Sequence, residues 1–208
     1  SIGANSVEHG SFADEISDGA ISEMKTRGIA LDPTLSVAEG LTSLAKGDTT
    51  LLKRSLVQQV TTKELLTGTE HAATSNQFRG LREGLSHYPI SVEMGGRNLL
   101  KAWHAGVILV TGSDAGNFFV LHGPTVQHEI ELWVAAGIPI EVALQAATAN
   151  AAKLLHAESR VGTIERGKEA SLLIVDGNPL QDVKALSSIS TVFFKGERVA
   201  RSDLFDQK

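Results

Sequence analysis

The chain has no cysteine in its 208 residues. That excludes disulfide frameworks, thiolate metal sites and a cysteine nucleophile. Clustered positive charge is also missing. Lys+Arg is 19 against 24 Asp+Glu, a formal net charge of −5, which is a poor match for nucleic-acid phosphates. No apolar run approaches the length that spans a bilayer, so no membrane partner is expected. Ser1-Ile2-Gly3-Ala4-Asn5 offers neither an initiator methionine nor a basic-plus-apolar leader, so a non-native start is expected. Asn-x-Ser/Thr sequons are absent as well. With no hint of secretion, a cytoplasmic location is expected. What is present is 42% hydrophobic residues, enough for a packed core rather than disorder. An α/β barrel takes roughly 250 residues, and this chain is short for one.

Short β-like runs alternate with helical patterns. Ser6 to His9 reads as a strand end, followed by the loop Gly10-Ser11-Phe12. Asp14 is the expected N-cap of a helix carrying Ile16, Ala20, Ile21 and Met24, with Gly28 as its C-cap. Ile29-Ala30-Leu31 reads as a buried strand stopped by Asp32-Pro33. Between 36 and 90, Leu41, Leu44, Leu51, Leu52, Leu56 and Val57 point to helices with a mobile, lid-like connection. Val92 to His104 reads as a helix ended by Gly106. Val107-Ile108-Leu109-Val110-Thr111 has the continuous apolar character of a parallel strand buried on both faces. Helices are then expected from Gly123-Pro124 and from Pro139, with a short one through Leu154 and Leu155.

The pattern changes near Ser159. Val161 to Ile164 and Ala170 to Val175 read as strands, and Lys195-Gly196-Glu197 marks a hairpin between Thr191–Phe194 and Arg198-Val199. Two domains are therefore expected, residues 1–157 and residues 158–208.

His9 and Asp114 stand at the C-terminal ends of two expected strands, the end that carries the active site in α/β barrels. Imidazole and carboxylate both suit zinc or a similar divalent ion. The plain alternatives are a satisfied polar residue for His9 and a capped strand end for Asp114. His122 follows in the loop after Asp114, where contact with a substrate carboxylate or simple loop packing would each account for it. Thr34 and Asn117 either line a pocket or shape turns. His128 and Glu129 share a helix, where a solvent-facing position is expected for one of them rather than a ligand role. His71, His87, His104 and His156 read as surface or capping residues. Gly95-Gly96 lacks a phosphate-loop context, and Trp103 and Trp133 fit helix packing.

Six segments occur in order: Ser6-Val7-Glu8-His9-Gly10; Leu31-Asp32-Pro33-Thr34-Leu35; Val110 to Gly116; His122-Gly123-Pro124-Thr125; Ala146 to Ala152; and Val161 to Leu172. The series resembles the C-terminal half of the amidohydrolase superfamily, in its imidazolonepropionase-like and Xaa-Pro dipeptidase-like branch. The resemblance covers nearly the whole chain. It implies an α/β fold: strands six to eight of a TIM (β/α)8 barrel plus the C-terminal part of a small β-sandwich. It implies a zinc-dependent hydrolase, with one or two Zn2+ ions, acting on amide or peptide-like C–N bonds of small molecules such as dipeptides or N-acyl amino acids. Cyclic amides and deaminase-type substrates are the alternative class. His9 would bind metal or contact substrate. Asp114 would bind metal and act as general base toward a metal-bound water. His122, Thr34 and Asn117 would contact substrate.

The departures are equally informative. No His-x-His pair occurs anywhere in the sequence, and only eight residues precede His9. The first-, fourth- and fifth-strand ligands of the family are therefore not in this chain. Three readings follow: a fragment inactive alone, a half-barrel subunit completed by another chain, or a non-catalytic remnant. Homo-oligomerisation or association with the missing N-terminal half is expected, since three strands cannot close a barrel.

Overall fold

The computed structural model describes residues 3–200. Strand β1 (Ser6–Glu8) runs parallel to β2 (Ala30–Asp32), pairing Ser6 with Ala30, Val7 with Leu31 and Glu8 with Asp32. Residues 107–111 run along the opposite edge of β2. Leu31 N donates to Ile108 O at 2.8 Å, and Val110 N donates to Leu31 O at 3.0 Å. The result is three adjacent parallel segments, each followed by helix. The arrangement is mixed α/β.

Helix α1 (Asp18–Arg27) joins β1 to β2. Ser17, not Asp14, caps it: the Ser17 side chain accepts from Ala20 N at 3.2 Å. Asp14 is unavailable because residues 11–16 are held in a loop by Asn98. That side chain donates to Ser11 O and Asp14 O, both at 2.9 Å, and accepts from Ile16 N at 2.9 Å. Gly28 ends the helix at φ 66°, a left-handed position where a Cβ is costly.

Helix α2 (Leu35–Lys46) leaves β2 directly. The expected lid-like connection is a set of short helices: α3 (Ser55–Val60), α4 (Lys63–Thr74) and α5 (Arg79–Ser86). Val57 of α3 and Ala73 of α4, with Leu52 from the 3-10 turn Thr50–Lys53, gather around Leu44, Phe119 and Leu121. Helix α6 (Val92–Ala105) starts at the Ser91 cap and ends at Gly106, close to expectation. Its Gly95 and Gly96 are packing residues: Cβ atoms there would lie 2.7 Å from Leu35 and 3.0 Å from Ala136.

The main core unites Leu31, Leu35, Leu99, Leu109, Ile130, Trp133 and Ile138. Each such side chain buried contributes about 1.5–3 kcal/mol. Helix α7 (Thr125–Ala135) supplies Ile130 and Trp133. Helix α8 (Ile140–Gln145) continues through a π-helical turn, Ala146–Asn150, into α9 (Ala151–Leu154), so the two helices expected here are one irregular rod. At that turn Asn150 donates to Leu109 O at 2.9 Å.

Two strand expectations change. Residues 107–111 form only an isolated bridge, Leu31 to Leu109, and Ile108 is 46% exposed rather than buried. Among the described residues its only strand partner is β2, and Leu109 O is met from elsewhere by the Asn150 side chain. Residues 161–164 form no strand, and Ile164 is 88% exposed. The C-terminal strands β3 (Leu172–Val175), β4 (Ile189–Phe194) and β5 (Glu197–Val199) make one antiparallel sheet in that order. Lys195 (φ 53°) and Gly196 (φ 86°) form the tight turn between the last two. A second sheet layer, which a β-sandwich needs, is absent among the described residues. Residues 201–208 of the expected second domain lie outside them. No helix among the described residues is long and apolar enough to cross a membrane.

Two glycines report on how tightly α2 meets the loop after residue 111. A Cβ on Gly40 would stand 2.3 Å from Phe118 O, whereas one on Gly68 in α4 meets nothing within 4 Å. Gly40→Ala is expected to lower stability by about 1–3 kcal/mol through overpacking. Gly68→Ala is expected to raise it by roughly 0.5–1 kcal/mol through backbone entropy. Urea unfolding of both variants measures the two changes, and equal shifts would contradict the packing described.

Candidate active site

The three parallel segments all deliver polar side chains at their C-terminal ends. His9 follows β1, Thr34 follows β2 and Asp114 follows residues 107–111. All three are non-glycine residues at positive φ: 64° for His9, 48° for Thr34 and 49° for Asp114. A left-handed β-branched residue such as Thr34 is unusual. Such backbone strain costs of order 1–3 kcal/mol and clusters at functional sites.

These turns bring the side chains together. His9 Nδ1 lies 2.8 Å from Thr34 Oγ1. His9 Nε2 lies 3.7 Å from Asp114 Oδ2, with both side chains about half exposed. Asn117 Nδ2 donates to Asp114 Oδ2 at 2.6 Å. Four of the five residues singled out in the sequence therefore form one connected group, although 105 positions separate His9 from Asp114. Thr34 is only 2% exposed, and its hydroxyl is engaged by His9. It reaches the site through His9 rather than through an open face.

His122, the fifth, faces a neighbouring cavity of about 420 Å³. Leu65, Phe78, Phe118 and Leu121 give that cavity apolar walls, and Asn117 and His122 stand among its polar lining. Asn117 thus contacts Asp114 and also lines the cavity.

The His9–Asp114 gap exceeds a hydrogen bond. Two ligand atoms, each roughly 2.0–2.2 Å from a zinc ion, stand on the order of 3–4 Å apart, so the gap suits a shared ion. A catalytic zinc usually takes three protein ligands. No group of three His, Asp or Glu able to hold a metal exists among the described residues. The residues present fit part of a metal site.

Below the strand ends, Glu8 and Asp32 sit side by side across the β1–β2 register. Asp32 is 8% exposed and accepts from Gly112 N at 2.9 Å. Burial is the chief cause that pushes its pKa up to about 7, reinforced by the nearby Glu8 and Glu129 charges and opposed by the Gly112 amide. A side chain at Gly112 would collide with Asp32, the Cβ standing 1.9 Å from Oδ2.

Two further groups lack any local signal in the sequence. Glu129 is fully buried. Its carboxylate accepts from Leu35 N at 2.7 Å, Ser36 N at 2.6 Å, Ser36 Oγ at 2.6 Å and Trp133 Nε1 at 2.9 Å. Burial raises its pKa while these four donors oppose the rise. His128 is half-buried between Glu39 and Glu131, and Glu131 also pairs with Arg54 at 2.7 Å. Burial alone would depress the His128 imidazole, but the two carboxylates outweigh it and hold its pKa above the usual value. Neither residue faces solvent in the manner expected. Their defining partners, Glu39 for His128 and Leu35 and Ser36 for Glu129, lie some 90 residues away.

Comparison with known proteins places this geometry. The sequence matches the Amidohydrolase family over residues 1–199. No curated protein matches it. Among solved structures, a Xaa-Pro dipeptidase with bound methionine in the active site is similar at 25% identity and a TM-score of 0.66, over 95% of this chain and 40% of that one. A putative prolidase from Bifidobacterium longum is similar at 26% identity and a TM-score of 0.58, over 98% of this chain and 46% of that one. The A. niger ochratoxinase shares the fold at 23% identity and a TM-score of 0.57, over 93% of this chain and 36% of its own. The chain therefore spans less than half the length of these structural relatives.

The Asp32 environment has a consequence for pH. The unfolded chain releases this proton near the ordinary carboxylate value of 3.8, whereas the folded chain keeps it to about 7. Its contribution to stability is therefore full below about pH 4. It is lost as pH rises toward 7, by up to about 1.4 kcal/mol per pH unit. Urea unfolding across that range is expected to show the decline, and Asp32→Asn is expected to flatten it. An unchanged pH slope in Asp32→Asn would contradict this assignment.

Proposed function

The chain belongs to the amidohydrolase family, and from that premise we propose that it is part of a metal-dependent hydrolase of amide or peptide-like C–N bonds. The observation that carries this reading is the convergence of His9, Thr34, Asp114 and Asn117 at one end of three parallel segments. We read those segments as strands six to eight of a (β/α)8 barrel, and β3 to β5 as part of a small β-sandwich. The barrel's remaining strands, with the other metal ligands, would come from a longer polypeptide or another chain. A self-associated form of this chain would hide the same open edges.

His9 Nε2 and Asp114 Oδ2 are the atoms that would hold a divalent ion, most simply Zn2+, one or two in the complete site. Such an ion polarises a carbonyl and lowers the pKa of water to roughly 7. Asp114 would take the proton from the attacking water and return it to the leaving nitrogen. Asn117 donates to Oδ2, the oxygen that would hold the ion, at 2.6 Å, which would leave Oδ1 to carry the proton.

Dipeptides and N-acyl amino acids are the substrate class we favour. The cavity beside Asn117 has apolar walls for a side chain or acyl group, and His122 there offers a partner for a carboxylate. The methionine bound in the similar Xaa-Pro dipeptidase has this chemistry, an apolar side chain beside a carboxylate.

The isolated 208-residue chain is expected to hydrolyse neither Xaa-Pro dipeptides nor N-acyl amino acids in the presence of Zn2+. A longer protein containing it, or its reconstituted complex with a chain bearing the missing ligands, is expected to do so. There Asp114→Asn should lower kcat by about 10²–10⁴-fold, the range of a lost general acid–base. Amino-acid release measured by ninhydrin or mass spectrometry reads both. Zn2+-dependent turnover by the isolated chain, abolished by Asp114→Asn, would refute the incomplete-site reading. An active complete enzyme indifferent to Asp114→Asn would refute the role of Asp114. Turnover of cyclic amides or amino-heterocycles alone would overturn the substrate class.

A further inference from the structure

We infer that Glu129 is a positioning residue for His9, acting through Thr34. The inference rests on the reading of His9 as a metal ligand, but the geometry behind it is separate from that reading.

Helix α2 begins without an ordinary cap. A threonine at this position normally sits in extended backbone and turns its hydroxyl back onto the helix's first amides. Thr34 does neither: it is left-handed at φ 48°, ψ 50° and makes no side-chain cap bond. Its hydroxyl points instead at His9 Nδ1, 2.8 Å away. Of the amides it would have served, Ser36 N is taken by Glu129 from α7, more than 90 residues along the chain, which takes the neighbouring Leu35 N as well. The Ser36 hydroxyl and the Trp133 indole fill the rest of that carboxylate.

The capping task has thus been moved from Thr34 to Glu129, which frees the Thr34 hydroxyl for His9. The relay places the proton of neutral His9 on Nδ1, donated across the 2.8 Å contact to Thr34 Oγ1. Nε2 then keeps its lone pair and turns it toward Asp114 Oδ2. That is the arrangement a ligating histidine needs, with its second nitrogen donating to a fixed acceptor.

The positive end of a helix favours a carboxylate. All four partners of Glu129 donate hydrogen bonds to it, so a carboxamide cannot replace it: its NH2 would face donors. Glu129→Gln is isosteric, yet it should let Thr34 relax to the extended backbone, cap α2 with its own hydroxyl and release His9.

The test reads the His9 ring nitrogens of the metal-free chain by long-range 1H–15N correlation, with folding checked by circular dichroism. The wild-type chain should show His9 as a single Nδ1–H tautomer. Glu129→Gln should shift both ring 15N resonances toward a mixture dominated by Nε2–H. Thr34→Val should produce the same shift directly, and Thr34→Ser should restore the wild-type pattern. Trp133→Phe removes one donor without touching Leu35 or Ser36, and should leave His9 unchanged.

Wild-type His9 shifts in folded Glu129→Gln would overturn the proposal, as would an equal response in Trp133→Phe. Should Glu129→Gln fail to fold, Glu129→Asp takes its place, because one methylene fewer withdraws the carboxylate from both the Leu35 and Ser36 amides. A smaller shift in the same direction would support the relay, and no shift would overturn it. Because these spectra need neither metal nor substrate, they separate the relay from the catalytic reading. A His9 that responds as expected, in an enzyme indifferent to Asp114→Asn, would leave the relay standing and remove the function.

Discussion

A single buried carboxylate sets the geometry of the strand ends. Glu129 lies out of reach of water, and four donors from two helices close around it. An unpaired buried charge would cost several kcal/mol, so the donors and the charge require each other. The result fixes where α2 begins, and the start of α2 fixes Thr34. Gly10 N donates to Pro33 O at 3.2 Å, which ties the turn after β1 to the turn after β2. Asn98 performs the companion task from the other side by holding residues 11–16. The strand ends are thus held by buried polar groups, while the His9 and Asp114 side chains stay about half exposed.

How much of this was legible in the sequence depends on the range of each interaction. Helix α6 was readable because its stop, Gly106, lies next to it. The Lys195–Gly196 hairpin was readable for the same reason. His9 and Asp114 were found by their positions at strand ends and by the resemblance of their surroundings. Asn117, three residues from Asp114, came with it. Glu129 and Asn98 were not readable, because each is defined by partners more than 80 residues away. Asp14 looked like a cap only because Asn98's hold on its neighbours leaves no trace in the local pattern. The run at 107–111 reads as doubly buried because its residues are apolar. Its burial is set by neighbouring strands, and Ile108 has one face uncovered.

Charge inside the fold is distributed in two styles. Glu39, His128, Glu131 and Arg54 form a network of opposite signs that joins α2, α7 and the turn before α3, with Ser187 reaching in from the C-terminal segment. Glu8 and Asp32 are instead two acids side by side, accommodated by a retained proton. The first arrangement locks the helices that carry Glu129. The second lies directly under the strand ends, where like charges would repel if both ionised.

The apolar cluster shared by helices α3 and α4 and the loop after Asp114 has a thermal consequence. Phe119 and Leu121 belong to that loop, yet they pack with Leu44, Leu52, Val57 and Ala73. Any motion that lifts these helices away must bring hydrocarbon into water. Its heat capacity therefore rises on opening, by roughly 0.45 cal/K/mol for each Å² of apolar surface exposed. The equilibrium between closed and open forms follows a curve in temperature rather than a straight van't Hoff line. Were access to the ground beside Asp114 to need such a motion, it would have a temperature of maximum closure and loosen on both cooling and heating.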